Sequence, residues 1–280
     1  MPYLTSFFLI TLALLSYPLQ ATADSNPWAH VQQPSPVKAE SIGTYTAGCI
    51  SGAATLPING NGYQVMRLSR KRNFGHPNLV FFIEKLGQVA VNEDWGGFLV
   101  GDLGQPRGGP TLSGHRSHQT GLDVDIWYLL SPVTTHRQLS ADERESWAAP
   151  SVLRPLSDNL DPKQWSPKQE RMLEMAASMP EVDRIFVHAA VKRQLCQHFA
   201  KRSWLRKIRP WYKHDDHFHV RLKCPEESRD CQHQEVIPEG DGCDASLDWW
   251  FSEEAKTPSK PSKPSIPPAL PSRCDLVLRQ

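Results

Sequence analysis

Two histidine-rich segments of this 280-residue sequence carry side chains of the types that bind metal ions. The ligand-type residues are His115, His118, Asp123 and Asp125 upstream, and His214, His217 and His219 downstream. Imidazole nitrogens and carboxylate oxygens are the donors of hydrolytic zinc sites, in which about three protein ligands leave one position open. The two segments together predict a zinc site with histidines to spare for moving protons.

The spacing of these residues indicates how they converge. Residues 217–222 and the alternating run 122–129 both have the pattern of strands, in which residues two apart share a face. His118 lies seven residues before Asp125, a separation that puts the two on opposite faces of a straight strand. Thr120-Gly121 permits a turn or bulge there, and we expect this turn to bring His118 over the strand end.

The predicted zinc ligands are His118, Asp125 and His219. His217, one strand step from the last ligand, is predicted to accept a proton from the attacking water. His214, at the preceding turn, is predicted to stabilise an oxyanion. His115 is near enough to be a fourth ligand or to support one. A surface His-x-His pair and a solvated strand face are the structural alternatives, and the joint occurrence of both segments weighs against them.

The start of the chain indicates export. The apolar run 4–15 is followed by Ala21-Thr22-Ala23, which has the form of a signal-peptidase site. An uncleaved anchor or a buried helix is the alternative, but the run is too short for a stable membrane span. We predict a signal peptide over 1–23 and no stable membrane insertion after its removal. The net charge of +1 gives no indication of nucleic-acid binding.

Six cysteines remain after the predicted cleavage: Cys49, Cys196, Cys224, Cys231, Cys243 and Cys274. An even number in an exported chain predicts three disulfides, and six cysteines allow 15 connectivities. Cys224 and Cys231 are close enough to pair locally, while the other pairs stay open. A cysteine zinc site is the rival interpretation, but the sequence contains no C-x2-C pair.

Strand-like and helical segments follow one another without regular βαβ alternation, which indicates the α+β class. The strand-like runs are 63–68, 79–83, 98–100 and 184–188, and the predicted helices begin near Ser166, Ala189 and Trp204. We predict a small antiparallel sheet core that carries the zinc site, flanked by helices and disulfide-stapled loops. Residues 256–280 are predicted to form a Pro-rich, extended C-terminal tail that Cys274 staples to the body.

The two metal motifs, His118-x6-Asp125 and His217-x-His219, resemble those of the LAS-type metallopeptidases. Within that group the sequence is most similar to the penicillin-insensitive murein endopeptidases. The segments that carry this resemblance are 117–125, 184–187, 204–211, 217–222 and 240–243. It covers nearly the whole chain after the predicted signal peptide, so residues 24–255 are interpreted as a LAS-type metallopeptidase domain.

The resemblance implies a periplasmic Zn²⁺ endopeptidase that cuts the D-alanyl–meso-diaminopimelate cross-link peptides of peptidoglycan. It implies the same three zinc ligands, a further histidine at His115 beside the metal, and active-site histidines at His214 and His217. It also implies the disulfides Cys49–Cys274, Cys196–Cys243 and Cys224–Cys231. Some members bind a second zinc through an Asp-x2-His loop, but here the comparable stretch 158–161 ends in Asp161, which weighs against a second metal.

Two alternatives remain at this point. One is a D-Ala-D-Ala carboxypeptidase of the same metallopeptidase group. The other is a wall-binding or metal-sequestering module without catalysis, which does not need His217 and His214 beside an open site. A homodimer is among the assemblies that the sequence allows.

Overall fold

The computed structural model describes residues 26–112, 116–257 and 268–280. The predicted signal peptide and the stretch 258–267 lie outside these ranges. The strands are β1 (Glu40–Thr44), β2 (Ala47–Ser51), β3 (Ala54–Thr55), β4 (Asn59–Gly60), β5 (Tyr63–Val65), β6 (Phe74–Gly75), β7 (Gly97–Val100), β8 (Asp123–Ser131), β9 (Val182–Val187), β10 (Ile208–Pro210) and β11 (His217–Leu222). The α-helices are α1 (Pro77–Asn92), α2 (Val133–His136), α3 (Ala141–Ser146), α4 (Pro167–Ser178), α5 (Ala189–Phe199), α6 (Ala245–Asp248), α7 (Glu253–Lys256) and α8 (Ser272–Arg279). Short 3-10 helices cover Pro27–His30, Leu68–Arg70, Ser203–Lys207 and Trp249–Phe251.

The central sheet has seven strands in the order β10-β9-β11-β8-β7-β5-β4. The β10–β9 and β5–β7 pairs are parallel and the other neighbours are antiparallel. The α+β class is therefore correct, but the prediction of a small antiparallel sheet is wrong. The sheet is larger and mixed because short strands far apart in sequence join its edges, and their pairing leaves no local pattern.

The two faces of the β8–β11 pair have different surroundings. Val124, Ile126, Phe218 and Val220 lie in the main hydrophobic core. Helices α1 and α4 contact each other and contact β7 and β9 respectively. The ligand-type residues of these two strands lie on the opposite face, as alternation requires. The site therefore lies on the central strands of the sheet.

Residues 79–83, predicted as a strand, belong to the 16-residue helix α1. Pro77 occupies the first turn, and the His76 ring accepts a hydrogen bond from the Asn78 amide at 3.2 Å. The buried positions are Leu79, Phe82, Ile83, Leu86, Gly87 and Ala90. Their three- and four-residue spacing continues well past the apolar run, and a short apolar run alone does not distinguish strand from helix.

The helix predicted near Ser166 is present as α4, where Ser166 and Gln169 form a reciprocal capping box. The helix predicted from Ala189 is α5. The segment 204–211 differs from the prediction, since a 3-10 turn over Ser203–Lys207 leads directly into strand β10. In the described part of the chain, no helix is long and apolar enough to cross a membrane.

All six cysteines form disulfides, in the pairs Cys49–Cys274, Cys196–Cys243 and Cys224–Cys231. These are the pairs that the family resemblance implies. Helix α8 packs on β2, where Cys49, Cys274 and Val277 share a small core with Trp28. Residues 272–279 are therefore helical, and the prediction of an extended tail is wrong there because Val277 and Cys274 supply an apolar face.

Candidate active site

Strands β8 and β11 place the central site residues by their register. The antiparallel pairing sets His219 opposite Asp125, His217 opposite Trp127 and Arg221 opposite Asp123. Side chains of directly opposed residues on one face lie about 5 Å apart at their Cβ atoms. The shared face predicted from residue spacing is confirmed by this register.

His118 reaches the site through a turn with an unusual backbone conformation. Its φ is +69°, in the left-handed region, and its amide donates to Asp123 Oδ2 at 3.3 Å. A left-handed histidine is uncommon, and such backbone strain is concentrated at functional sites. Gly121 follows with φ +70°. The turn predicted around Thr120-Gly121 is therefore present, and it brings His118 to the end of β8.

His118, Asp125 and His219 form the metal-ligand cluster that the structure brings together. One ligand atom from each lies within 4.8 Å of the others. Asp125 Oδ1 is 3.1 Å from His219 Nδ1 and 3.5 Å from His118 Nε2. All three residues are buried, with exposed fractions of 2 to 4%. Two imidazoles and one carboxylate at this separation form a suitable donor set for a divalent transition metal.

Asp123 orients His219 from behind. Its Oδ1 accepts a hydrogen bond from His219 Nε2 at 2.7 Å and another from Arg221 Nε at 2.7 Å. The Arg221 guanidinium in turn stacks 3.6 Å above the Tyr45 ring. Because Asp123 can only accept, the His219 proton is on Nε2 and the Nδ1 lone pair faces Asp125. That lone pair and the carboxylate oxygen are two acceptors that a cation would satisfy together.

The carboxylates of the cluster are ionised despite their burial. Burial opposes the charged form of Asp123, but Arg221 and His219 hold its pKa well below the usual range. Burial likewise opposes ionisation of Asp125, and His118 and His217 lower its pKa well below normal. Burial disfavours the His118 cation, but Asp125 raises the net pKa of that ring. The pocket therefore favours positive charge, which fits a metal ion.

His217 stands beside this cluster with the opposite ring nitrogen directed inward. Its Nδ1 is 2.5 Å from Asp216 Oδ1, and its Nε2 is 3.7 Å from Asp125 Oδ1. Burial lowers the basicity of the ring, but the Asp125 and Asp216 carboxylates raise the net pKa above its usual value. About a fifth of the side chain is exposed. His217 is thus a strengthened base with access to solvent.

His214 lies next to His217, with the two ring centroids 4.9 Å apart. Its φ is +58°, and its Nδ1 donates to the Tyr212 carbonyl at 2.8 Å. Burial, and then the charge of His217, lower the pKa of His214 to about 4. The ring is therefore neutral near pH 7 with Nε2 as an acceptor. Stabilisation of an oxyanion by this residue requires a proton on Nε2.

A groove with basic side chains borders the cluster on the Asp125 side. Its lining includes Arg67, Arg70, Trp127, Asp125 and His217. Arg70 Nη1 pairs with Asp102 at 3.1 Å, and about half of its side chain remains exposed. The Arg67 guanidinium lies 5.8 Å from the Trp127 ring centroid. The carboxylates of Asp102, Asp125 and Asp216 line the same groove, so its two arginines are the groups there that can pair with a carboxylate of a ligand.

His115 lies outside the described residues, so its placement beside the metal stays a prediction. Asp158 pairs with Lys256 at 2.8 Å, and Asp161 caps the Lys163 amide at 3.0 Å. The carboxylates of the stretch 158–161 thus have structural partners, and in the part of the chain that the structure describes a single candidate metal cluster is found.

Sequence reasoning did not assign the two acids that orient the histidines, Asp123 and Asp216. A signal for each was present. Asp123 lies two residues before Asp125 and so on the same strand face, and Asp216 directly precedes His217. A carboxylate in either place can fix an imidazole tautomer.

One protein family and its curated members match this chain over nearly its full length. A family model described as penicillin-insensitive murein endopeptidase matches residues 41–279. A penicillin-insensitive murein endopeptidase of Klebsiella pneumoniae (strain 342) is 43% identical across 95% of this chain and 96% of its own. Proteins of that name from Escherichia coli O1:K1 and E. coli strain SMS-3-5 are each 43% identical across 98% of this chain and 97% of their own.

Proposed function

The chain belongs to the family of penicillin-insensitive murein endopeptidases, and from this membership we propose that it is a periplasmic zinc endopeptidase. Its substrate in this proposal is the D-alanyl–meso-diaminopimelate cross-link of peptidoglycan. The observation that carries the proposal is the buried cluster of His118, Asp125 and His219 with the base His217 beside it. Three disulfides are typical of proteins outside the cytoplasm, which supports the location.

His118, Asp125 and His219 would hold the zinc ion, with Asp123 fixing the tautomer of His219. A zinc ion bound there supplies Lewis acidity toward a carbonyl oxygen and toward water. The basic groove would take the substrate, with Arg67 and Arg70 near the carboxylates of the cross-link peptide.

His217 Nε2 accepts a proton from the water that attacks the scissile carbonyl carbon. As the C–N bond breaks, the same proton passes to the leaving nitrogen. The second proton of the attacking water then passes from the new carboxyl group to the released amine, so the products are a carboxylate and an ammonium group. Asp216 holds Nδ1 of His217 and stabilises the imidazolium between uptake and release of the first proton. His214 Nε2 takes a proton from bulk solvent as negative charge develops on the carbonyl oxygen, and returns it to solvent when the intermediate collapses. No serine acts as a nucleophile, so β-lactams have no covalent target.

The test uses cross-linked muropeptide dimers as substrate. We expect purified protein to convert them to monomers, chelator to abolish this conversion, and added Zn²⁺ to restore it. His118→Ala removes a ligand. The matched control is His198→Ala, because His198 pairs with Glu170 away from the cluster. Chelator-resistant cleavage or full activity in His118→Ala would contradict the zinc mechanism. Release of a single alanine from monomeric pentapeptide would favour carboxypeptidase activity instead.

A further inference from the structure

A second groove, lined by aromatic rings, lies next to the segment that carries His214. Trp211, Tyr212, Trp249 and Trp250 line it together with Asp158 and Lys256. Trp211, Tyr212 and Trp249 are each between 41 and 51% exposed. Single exposed apolar residues are common on proteins, but a contiguous group of large ones marks a binding surface.

The rings form one connected surface rather than separate side chains. Tyr212 and Trp250 have centroids 5.0 Å apart, and Trp249 and Trp250 have centroids 5.3 Å apart. Trp211 lies 6.2 Å from both Tyr212 and Trp250. Edge-on and tilted packing of this kind leaves ring faces open to a ligand.

Helix α7 and the turn Trp249–Phe251 form the outer wall of this groove, and both are attached to the rest of the domain. Lys256 of α7 pairs with Asp158 at 2.8 Å. The Arg193 guanidinium lies 4.0 Å from the Phe251 ring centroid, which fixes the turn Trp249–Phe251. The wall is therefore part of the folded domain, and the rings are held in place before any ligand arrives.

The groove adjoins His214 through two hydrogen bonds of its lining residues. The carbonyl of Tyr212 accepts the hydrogen bond of His214 Nδ1. His188, another lining residue, donates its amide to the His214 carbonyl at 3.0 Å. A polymer bound at the scissile peptide can therefore extend directly into the aromatic groove.

We propose that the aromatic groove binds the glycan strand of the polymer whose peptide is cut at the adjacent site. The inference rests on the proposed function. The cross-link peptide carries methyl groups, carboxylates and amines, and has no large apolar side chain to cover indole rings. A pyranose ring of an N-acetylated amino sugar has flat C–H faces for the indoles and a rim of hydroxyls for groups such as Asp158 and Lys256. The groove thus selects cross-links that are still attached to glycan.

The test compares two cross-linked dimers, one with its disaccharides and one from which the sugars have been removed. The measured quantity is the ratio of kcat/KM on the sugar-bearing dimer to kcat/KM on the sugar-free dimer. We expect wild type to favour the sugar-bearing dimer and Trp250→Ala to lower the ratio about five- to tenfold, the effect of one lost stacking contact. Trp249→Ala, whose ring is more exposed, repeats the test with less risk to folding. Phe81→Ala, an exposed aromatic on α1, is the matched control and should leave the ratio at the wild-type value.

Binding is measured separately by the heat released in calorimetric titration with the N-acetylglucosamine tetramer. We expect a saturable change in wild type and in Phe81→Ala that is lost in the double variant Trp249→Ala/Trp250→Ala. An unchanged substrate ratio in both single variants, or no saturable change in wild type, would overturn the proposal. Should wild type cleave neither dimer, the proposed function fails, and the titration alone then decides whether the sugar site exists.

Discussion

His219 and His217 lie two residues apart on one strand face, yet they present opposite nitrogens to the site. His219 is held through Nε2 by Asp123, which is fully buried, and directs Nδ1 inward. His217 is held through Nδ1 by Asp216, a half-exposed acid, and directs Nε2 inward. The acid behind each ring fixes which nitrogen faces the site, and this difference is the basis of the roles that we propose, metal ligand for His219 and proton acceptor for His217.

The largest expected effect separates the two roles directly. Replacement of His219 by alanine should remove both bound metal and activity, because it deletes a ligand. His217→Ala should retain the metal and lose about 10²–10⁴-fold in kcat, the contribution of general acid–base catalysis. Two measurements on the same preparations check these two variants: metal content by elemental analysis, and kcat on muropeptide dimers. Loss of metal in His217→Ala would remove the distinction between the two histidines.

The next prediction concerns Asp123, the buried acid. Asp123→Asn keeps the shape of the side chain but replaces the charged acceptor of the His219 hydrogen bond with a neutral amide. It also leaves Arg221 without its ion pair. We expect metal affinity to fall about 10–100-fold, as for other residues that orient a ligand. Competition with a chelating dye measures the affinity. Wild-type affinity in Asp123→Asn would show that Asp123 does not position His219.

Replacement of Asp216, the half-exposed acid, should have a smaller effect than replacement of Asp123. Asp216→Asn weakens one charge-assisted hydrogen bond to His217, worth about 1.5 kcal/mol, so kcat should fall about tenfold. Metal affinity should stay at the wild-type value, in contrast to Asp123→Asn. An equal loss of metal affinity in both variants would mean that depth does not separate the two acids.

Lys192 extends the comparison to a buried charge outside the site. It is fully buried, and its Nζ donates to the carbonyls of Leu205 and Asp241 rather than to a carboxylate. Burial, and then the charge of Arg209, lower its pKa to about 7. Between that value and about 10.4, the unfolded value, the unfolded chain holds one proton more than the folded chain.

The free energy of unfolding should therefore rise with pH in this window, by up to about 1.4 kcal/mol per pH unit. Lys192→Met should remove this part of the rise. Urea unfolding of both proteins between pH 7 and 9.5 gives the difference in slope. Parallel pH profiles for wild type and variant would show that Lys192 keeps its normal pKa.

The site was more predictable from sequence than the sheet that holds it. His118, Asp125 and His219 were found because metal chemistry limits donor types and because strand alternation is local. The size of the sheet was missed, since edge strands such as β4 and β10 have only two or three residues. Helix α1 was missed because the run 79–83 fits two periodicities, and only the residues after it decide between them. The roles of Asp123 and Asp216 depend on which ring nitrogen faces the site, which needs three-dimensional coordinates.

The Cys49–Cys274 disulfide spans 225 residues and encloses almost all of the described fold in one covalent ring. A protease that cuts any single peptide bond between these cysteines opens the ring without releasing a fragment. The nicked chain stays one molecule until the disulfide is reduced. Its two pieces remain at the high mutual concentration that tethering provides. Strands β8 and β11 can therefore stay paired after a cut in a surface loop.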